Sequence, residues 1–135
     1  MAVQSAHVYD KSFTAAQDLS SSQFFILSSS ADDVVAICVA SSAGGSGRAW
    51  GVLQNNPTSG SAANVRRLGM SKVVASSSGT IAVGAFVGCS TGGLAVSATT
   101  GFWTIGIAAS ATTGASGQLV EVVMNPQLYA AGATA

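Results

Sequence analysis

Residues 50–75 read WGVLQNNPTSGSAANVRRLGMSKVVA, and this stretch decides the fold that the sequence predicts. The apolar segment WGVLQ is followed by Asn55, Asn56 and Pro57, which favour a turn because proline removes a backbone donor and asparagine tolerates turn geometry. After a Thr/Ser/Gly loop, the segments 63–68 and 72–75 are rich in residues that suit a pleated strand. The pattern predicts a β-hairpin, which is a scaffold and not a reaction centre.

A second stretch has the same pattern. Residues 103–108, WTIGIA, are followed by a Thr/Gly loop at 112–114 and by residues 118–124, QLVEVVM. Duplication of one hairpin and simple reuse of a common strand–glycine–strand pattern both remain open. Glu121 lies between two valines, so alternation along a strand predicts that it faces away from them, towards solvent or an interface.

The rest of the chain consists of short apolar segments separated by Gly, Ser and Asp. They are a strand at 24–27, a turn at Asp32 and Asp33, a buried-type run at 34–40, a strand or single helical turn at 80–87, and a turn at Gly92 and Gly93 that leads into 94–96. About eight short strands without a long amphipathic helix predict an all-β fold, a small single-domain β-barrel or sandwich. We expect an N-terminal arm at 1–22, a β-rich domain at 23–124 and a C-terminal tail at 125–135.

The N-terminal arm is predicted from its lack of periodicity. Its larger side chains, His7, Tyr9, Phe13 and Leu19, are isolated among small and polar residues. Such a segment is typical of an extended arm that orders against a neighbour and not of a core element. Tyr9, Phe13 and Leu19 are therefore predicted to fill pockets on a partner.

Charge is scarce in this chain. Charged residues make up 7% of it, and five Lys plus Arg balance five Asp plus Glu. A neutral surface has little repulsion against self-association. Nucleic-acid binding needs a basic patch, and the one local cluster is Arg66, Arg67 and Lys72. Because Arg66 and Arg67 would face opposite sides of a strand, we expect interface charges there and no nucleic-acid site.

Targeting signals and cysteines limit the cellular context. The first residues lack the basic and apolar regions of a secretory signal peptide, and no apolar stretch approaches the ~20 residues that span a bilayer. We therefore expect no membrane partner.

Cys38 and Cys89 lie in apolar runs, which favours buried free thiols, although the sequence leaves a disulfide open.

Catalytic and metal-binding patterns are weak. Residues 88–92, GCSTG, match the G-x-S-x-G nucleophile elbow, but that motif needs a following helix and a downstream histidine, whereas His7 lies upstream. Residues 44–47, GGSG, lack the lysine of a phosphate loop, and one histidine with two separated cysteines makes no metal site. We expect no catalytic residue, metal or cofactor, and keep a small hydrolase using Ser90 as a remote alternative.

A family resemblance covers roughly Asp18 to Met124. Six segments carry it in order: GVLQNNP (51–57), AANVRRLGMSKVVA (62–75), GTIAVGAFV (79–87), GGLAV (92–96), TIGIA (104–108) and GQLVEVVM (117–124). They are similar to the capsid cement, or head decoration, proteins of tailed bacteriophages. The sequence departs from this family at Asn56, where a basic residue is expected, and at Ala85, where an acidic one is expected.

The resemblance implies a virion structural protein. Members form homotrimers on the outer surface of an icosahedral head and lock neighbouring major capsid subunits after expansion, having been made in the host cytoplasm. On this basis Tyr9, Phe13, Leu19, Arg66 and Arg67 are the expected contacts with the major capsid protein or with a second copy. The alternative is another phage structural protein, a tail or head-fibre component.

Overall fold

The structure, a computed structural model, describes residues 8–38, 49–77, 79–90, 92–98 and 103–128, with side chains described as far as Asn125. Within these ranges the chain forms nine strands and no helix. The strands are β1 (Tyr9–Ala15), β2 (Ile26–Ala31), β3 (Val34–Ile37), β4 (Gly51–Leu53), β5 (Ala62–Val74), β6 (Phe86–Cys89), β7 (Ala95–Ser97), β8 (Trp103–Ala108) and β9 (Leu119–Leu128). The all-β prediction is confirmed.

Five strands close a small barrel. Their order is β1-β3-β2-β4-β5, and β1 pairs again with β5 to complete the ring. The β4–β5 pairing is antiparallel, with Val52 opposite Arg66, which confirms the hairpin predicted from residues 50–75. The β1–β3 contact is parallel and short, joining Thr14 to Val34 and Ala15 to Val35.

The remaining strands extend the sheet from the far half of β5. This strand has 13 residues, so it serves the barrel with its first half and pairs with β9 through its second half. The order continues β9-β8-β6-β7, and the β8–β9 pairing confirms the second predicted hairpin. A parallel bridge between Ala75 and Ala95 brings β7 back beside the end of β5.

Two hydrophobic cores follow from this arrangement. The first core lies inside the five-stranded barrel and consists of Ala15, Leu19, Leu27, Val35, Leu53, Ala63 and Val65. The second core is larger and lies under β5, β9, β8 and β6, with Val73, Val87, Ile105, Val120 and Val122 among its fully buried members. Along β9, Val120 and Val122 are buried while Glu121 is exposed, as alternation predicts.

The N-terminal segment is part of the barrel, which corrects one prediction. β1 pairs antiparallel with β5 from Tyr9–Leu68 to Thr14–Ala62, and Leu19 is fully buried in the first core. The expectation that residues 9–22 lie outside the core is therefore wrong. The physical reason is that closing the barrel needs a strand distant in sequence, whose burial no local period reveals.

The expected start of a C-terminal tail at Asn125 is also wrong. β9 continues to Leu128, which pairs with Trp103. The register shifts between Thr104 and Gly106, opposite Pro126, and such a bulge accommodates a residue that has no backbone donor. Residues 1–7, 39–48 and 129–135, which include His7, the end of the 34–40 run and the GGSG loop, lie outside the described residues.

Local turns agree with the sequence. Asp32 and Asp33 form the turn between β2 and β3, and Asp33 adopts a positive φ of 55°, which a short polar side chain tolerates. The Asn55 side chain accepts a hydrogen bond from the Asn64 amide and donates one to the Ala62 carbonyl, which fixes the β4–β5 turn. The segment 80–87 contains no helical turn, and β6 begins at Phe86.

Candidate interface surface

Large apolar side chains lie exposed on the outer face of four neighbouring strands. We call this set the apolar stripe: Tyr9 on β1, Leu68 and Met70 on β5, Val123 on β9 and Ile107 on β8. Each is between 43% and 52% exposed. These five residues are the principal candidate for a functional surface.

The strand register makes the stripe continuous. Tyr9 lies directly opposite Leu68, Met70 opposite Val123, and Val123 opposite Ile107. Directly opposed side chains on one sheet face have Cβ atoms about 5 Å apart, so these pairs touch across the strands. The stripe therefore crosses from the barrel onto the extended part of the sheet without interruption.

Exposed rows of this kind are characteristic of association surfaces. Single exposed apolar residues are common on soluble proteins, but contiguous apolar patches mark binding sites for proteins, membranes or ligands. In a chain with 7% charged residues, little else on the surface opposes contact. The stripe is therefore the described surface best suited to association.

Two opposite charges flank the stripe on the same sheet face. Lys72 on β5 lies directly opposite Glu121 on β9, and both side chains are exposed. Among the described residues the ion pairs are Lys11–Asp33 and Arg66–Asp10, so Lys72 and Glu121 have no ion-pair partner within the described part of the chain. Both charged ends are therefore available to another molecule.

A shallow cleft adjoins Met70. It has a volume of about 400 Å³ and is lined by Phe24, Gln54, Arg66, Met70, Ser71, Lys72 and Glu121. Phe24 adopts a positive φ of 69°, which is costly for a bulky side chain, and its amide is held by the Leu53 carbonyl at 2.8 Å. The cleft combines apolar walls with charges of both signs, as a protein contact does.

The two adjacent arginines have separate roles, as alternation predicts. Arg66 donates to both carboxylate oxygens of Asp10, at 2.8 Å and 3.1 Å, and to the Met70 carbonyl at 2.9 Å. The hydrogen bond to Asp10 raises the pKa of Arg66. The guanidinium therefore stays protonated, and the Asp10 carboxylate balances its positive charge. Arg67 lies 4.0 Å from the Trp50 ring centroid and donates to the Trp50 carbonyl. The arginine pair forms no shared anion site.

The structure distributes the five predicted interface residues unevenly. Tyr9 lies in the apolar stripe, while Phe13 packs edge-on against Trp50 with ring centroids 6.3 Å apart. Leu19 is fully buried, so its assignment as an interface residue is wrong. The sequence did not predict the other four stripe residues, Leu68, Met70, Ile107 and Val123. For Val123 the signal was present in QLVEVVM, where apolar residues occupy both faces of the strand and one set must point outward.

The G-x-S-x-G string and the two cysteines lie in surroundings unlike those of a catalytic site. Gly88 and Cys89 of the G-x-S-x-G string lie in β6, and the next element along the chain is the strand β7, where the elbow requires a helix. Cys38 and Cys89 are both buried, and Cys89 Sγ donates to the Cys38 carbonyl at 3.3 Å. Within the described ranges, no cluster of three or more His, Cys, Asp or Glu residues lies close enough to hold a metal ion. A search of the same ranges finds no helix that could span a membrane.

Comparison with known proteins finds a fold relative but no sequence family. No family model and no curated protein matches the chain. Among solved structures, the chain is similar to the N base of the head fibre protein gp8.5 of bacteriophage phi29, with a TM-score of 0.59 and 20% sequence identity. The match covers 88% of this chain and 95% of that one. The small all-β fold is thus one that nearly the whole chain shares with that protein.

Proposed function

We propose that this chain is a structural protein of a phage virion that binds the outer surface of the head as a capsid cement, or decoration, protein. It acts as a homo-oligomer, a homotrimer by family resemblance, and its partner is the major capsid protein. Its role is mechanical and not catalytic. The observation that carries a virion structural role is the near full-length similarity to the base of a phage head fibre. The cement role is supported by the ordered resemblance of six sequence segments to cement proteins.

The physical basis of cementing is mass action. A protein that binds the assembled shell better than its separated subunits stabilises the shell, because disassembly must also break the added contacts. An oligomer that touches several capsid subunits at once multiplies weak contacts through effective concentration. A sparsely charged barrel with exposed apolar side chains suits this role, since it offers contact area and little repulsion.

The second candidate is the base of a head fibre. It is favoured by the same structural similarity, because the matched chain is named as a fibre base and is covered over 95% of its length. A fibre base anchors a further extension and need not reinforce the shell. The two roles therefore differ in what happens to the head when the protein is removed.

The test begins with the phage that encodes this chain. We expect the chain to remain with DNA-filled heads when heads and tails are separated, and particles lacking it to lose DNA at a lower temperature or under milder osmotic shock. Adding back purified protein should restore the resistance. Retention on heads without any change in resistance would favour the fibre base, and recovery with tails would refute both head assignments.

A further inference from the structure

We infer that the apolar stripe, together with Lys72 and Glu121, is the contact surface between copies of this chain. The inference rests on the proposed function for the existence of an oligomer and names the surface that holds it together. The occupant is a second copy of this chain and not the capsid.

The first argument comes from the unpaired charges. Lys72 and Glu121 face each other across β5 and β9, yet neither has an ion-pair partner among the described residues. The Arg66–Asp10 pair beside them is already satisfied internally. The two charges left over on this face are therefore one of each sign.

The balance of these charges favours a second copy. A surface that carries one positive and one negative group suits a closed ring of identical copies, because Lys72 of each copy can meet Glu121 of the next around the symmetry axis. A partner patch of a single sign would attract one of the two groups and repel the other.

The second argument comes from the apolar centre. Association surfaces typically have an apolar middle with charged groups at the rim. Here the middle consists of Met70, Val123 and Ile107, in register across three strands. Lys72 lies two residues after Met70 on β5, and Glu121 lies two residues before Val123 on β9. The cleft beside Met70 adds a recess of about 400 Å³ with room for a side chain of the second copy.

The first experiment changes the centre of the stripe. Val123→Lys should convert the purified oligomer to single chains by light scattering, or raise its dissociation constant at least about tenfold, as expected for loss of a central contact. The matched control is Val83→Lys, since Val83 is 65% exposed but lies outside the strands. An unchanged far-UV β-sheet spectrum in both variants shows that the fold is kept. An unchanged mass for Val123→Lys would overturn the inference.

The second experiment identifies the occupant. Lys72→Glu alone should weaken the oligomer, because each copy then presents two negative groups to the next. Glu121→Lys alone should weaken it in the same way, but chains carrying Lys72→Glu mixed with chains carrying Glu121→Lys should associate with each other more strongly than either does with itself, since a doubly negative face then meets a doubly positive one and neither chain regains an opposite-charge pair of its own. Association of the two variants supports a second copy as the occupant; variants that stay dissociated when mixed contradict it.

Failure of this inference is separable from failure of the proposed function. If Val123→Lys keeps the mass of the wild-type oligomer but no longer binds heads, the stripe is the capsid contact and the inference is wrong while the function stands. If wild-type protein is a single chain at micromolar concentration, the inference is wrong whatever the head-binding assay shows. If Val123→Lys dissociates an oligomer that never binds heads, the inference stands and the function is wrong.

Discussion

Arg66 on β5 donates hydrogen bonds to both carboxylate oxygens of Asp10 on β1, with Nε 2.8 Å from Oδ1 and Nη2 3.1 Å from Oδ2. These residues face each other across the β1–β5 pairing that closes the barrel. Their side chains are only 24% and 26% exposed, so solvent screens the pair less than it screens a surface ion pair. The ion pair links the N-terminal strand β1 to β5 in the middle of the chain.

Removing this ion pair should lower the stability of the folded protein. Asp10→Asn keeps the shape of the side chain but loses the charge, and we expect the free energy of unfolding in urea to fall by about 1–2 kcal/mol. The matched control is Asp33→Asn, which breaks the exposed Lys11–Asp33 pair while asparagine still tolerates the positive φ of the turn. The control should change little, and equal losses in both variants would show that the Asp10 pair has no special role.

The burial of Leu19 gives a second test. Leu19→Ala should cost about 2–5 kcal/mol, because it removes a fully buried side chain and leaves a cavity in the first core. Leu119→Ala removes the same atoms from a side chain that is 43% exposed and should cost less than about 1 kcal/mol. A Leu19 variant as stable as wild type would mean that the N-terminal segment is an arm after all.

Gly106 permits the close approach of β8 to β9. A Cβ atom at this position would clash with the Val123 carbonyl oxygen, which is backbone and cannot rotate away. We expect Gly106→Ala to prevent folding or to lower the melting temperature severely. Gly79→Ala is the control, because a Cβ there meets nothing within 4 Å. A normal melting curve for Gly106→Ala would contradict the described β8–β9 pairing.

Cys89 should make stability fall at high pH. A hydrogen bond with Cys38 and burial raise the pKa of the Cys89 thiol well above its ordinary value of 9.0. Below that value both the folded and the unfolded chain hold the proton, so stability does not depend on it. Above it the unfolded chain loses the proton and the folded chain keeps it, so stability should drop by up to about 1.4 kcal/mol per pH unit.

Urea unfolding from about pH 7 to about pH 10 measures this effect. Cys89→Ala should be less stable at neutral pH, since it removes buried atoms, but its stability should decline less steeply above the ordinary thiol pKa. The quantity of interest is the difference between the two slopes, which cancels the other titrating groups. Identical slopes would indicate that the Cys89 thiol ionises normally in the folded protein.

Local sequence was sufficient for the hairpins. The β4–β5 and β8–β9 pairs each combine alternating side chains with a turn whose residues have a defined chemistry, and both signals lie within about 25 residues. Glu121 and the two arginines also followed alternation. Barrel closure could not be predicted in this way, because the β1–β5 pairing joins residues far apart in sequence. β1 itself is exposed along most of its length, with only Phe13 partly buried and Ala15 buried.

The candidate surface was only partly visible in the sequence. Alternation shows that Val123 and Val122 cannot both be buried on one face, but it does not show which strands lie beside β9. Only the sheet order places Met70 and Ile107 on either side of Val123 and so turns separate apolar residues into a stripe. Surfaces built across strands are therefore a property of topology more than of any one segment.

The most direct test of the central claim is an electron cryo-microscopy reconstruction of the phage particle that carries this chain. We expect five-stranded barrels, each extended by four further strands, on the outer surface of the head, grouped in oligomers whose apolar stripes face one another and each touching more than one major capsid subunit. Density for the barrel on the tail, or on no part of the particle, would contradict the proposed role on the head surface.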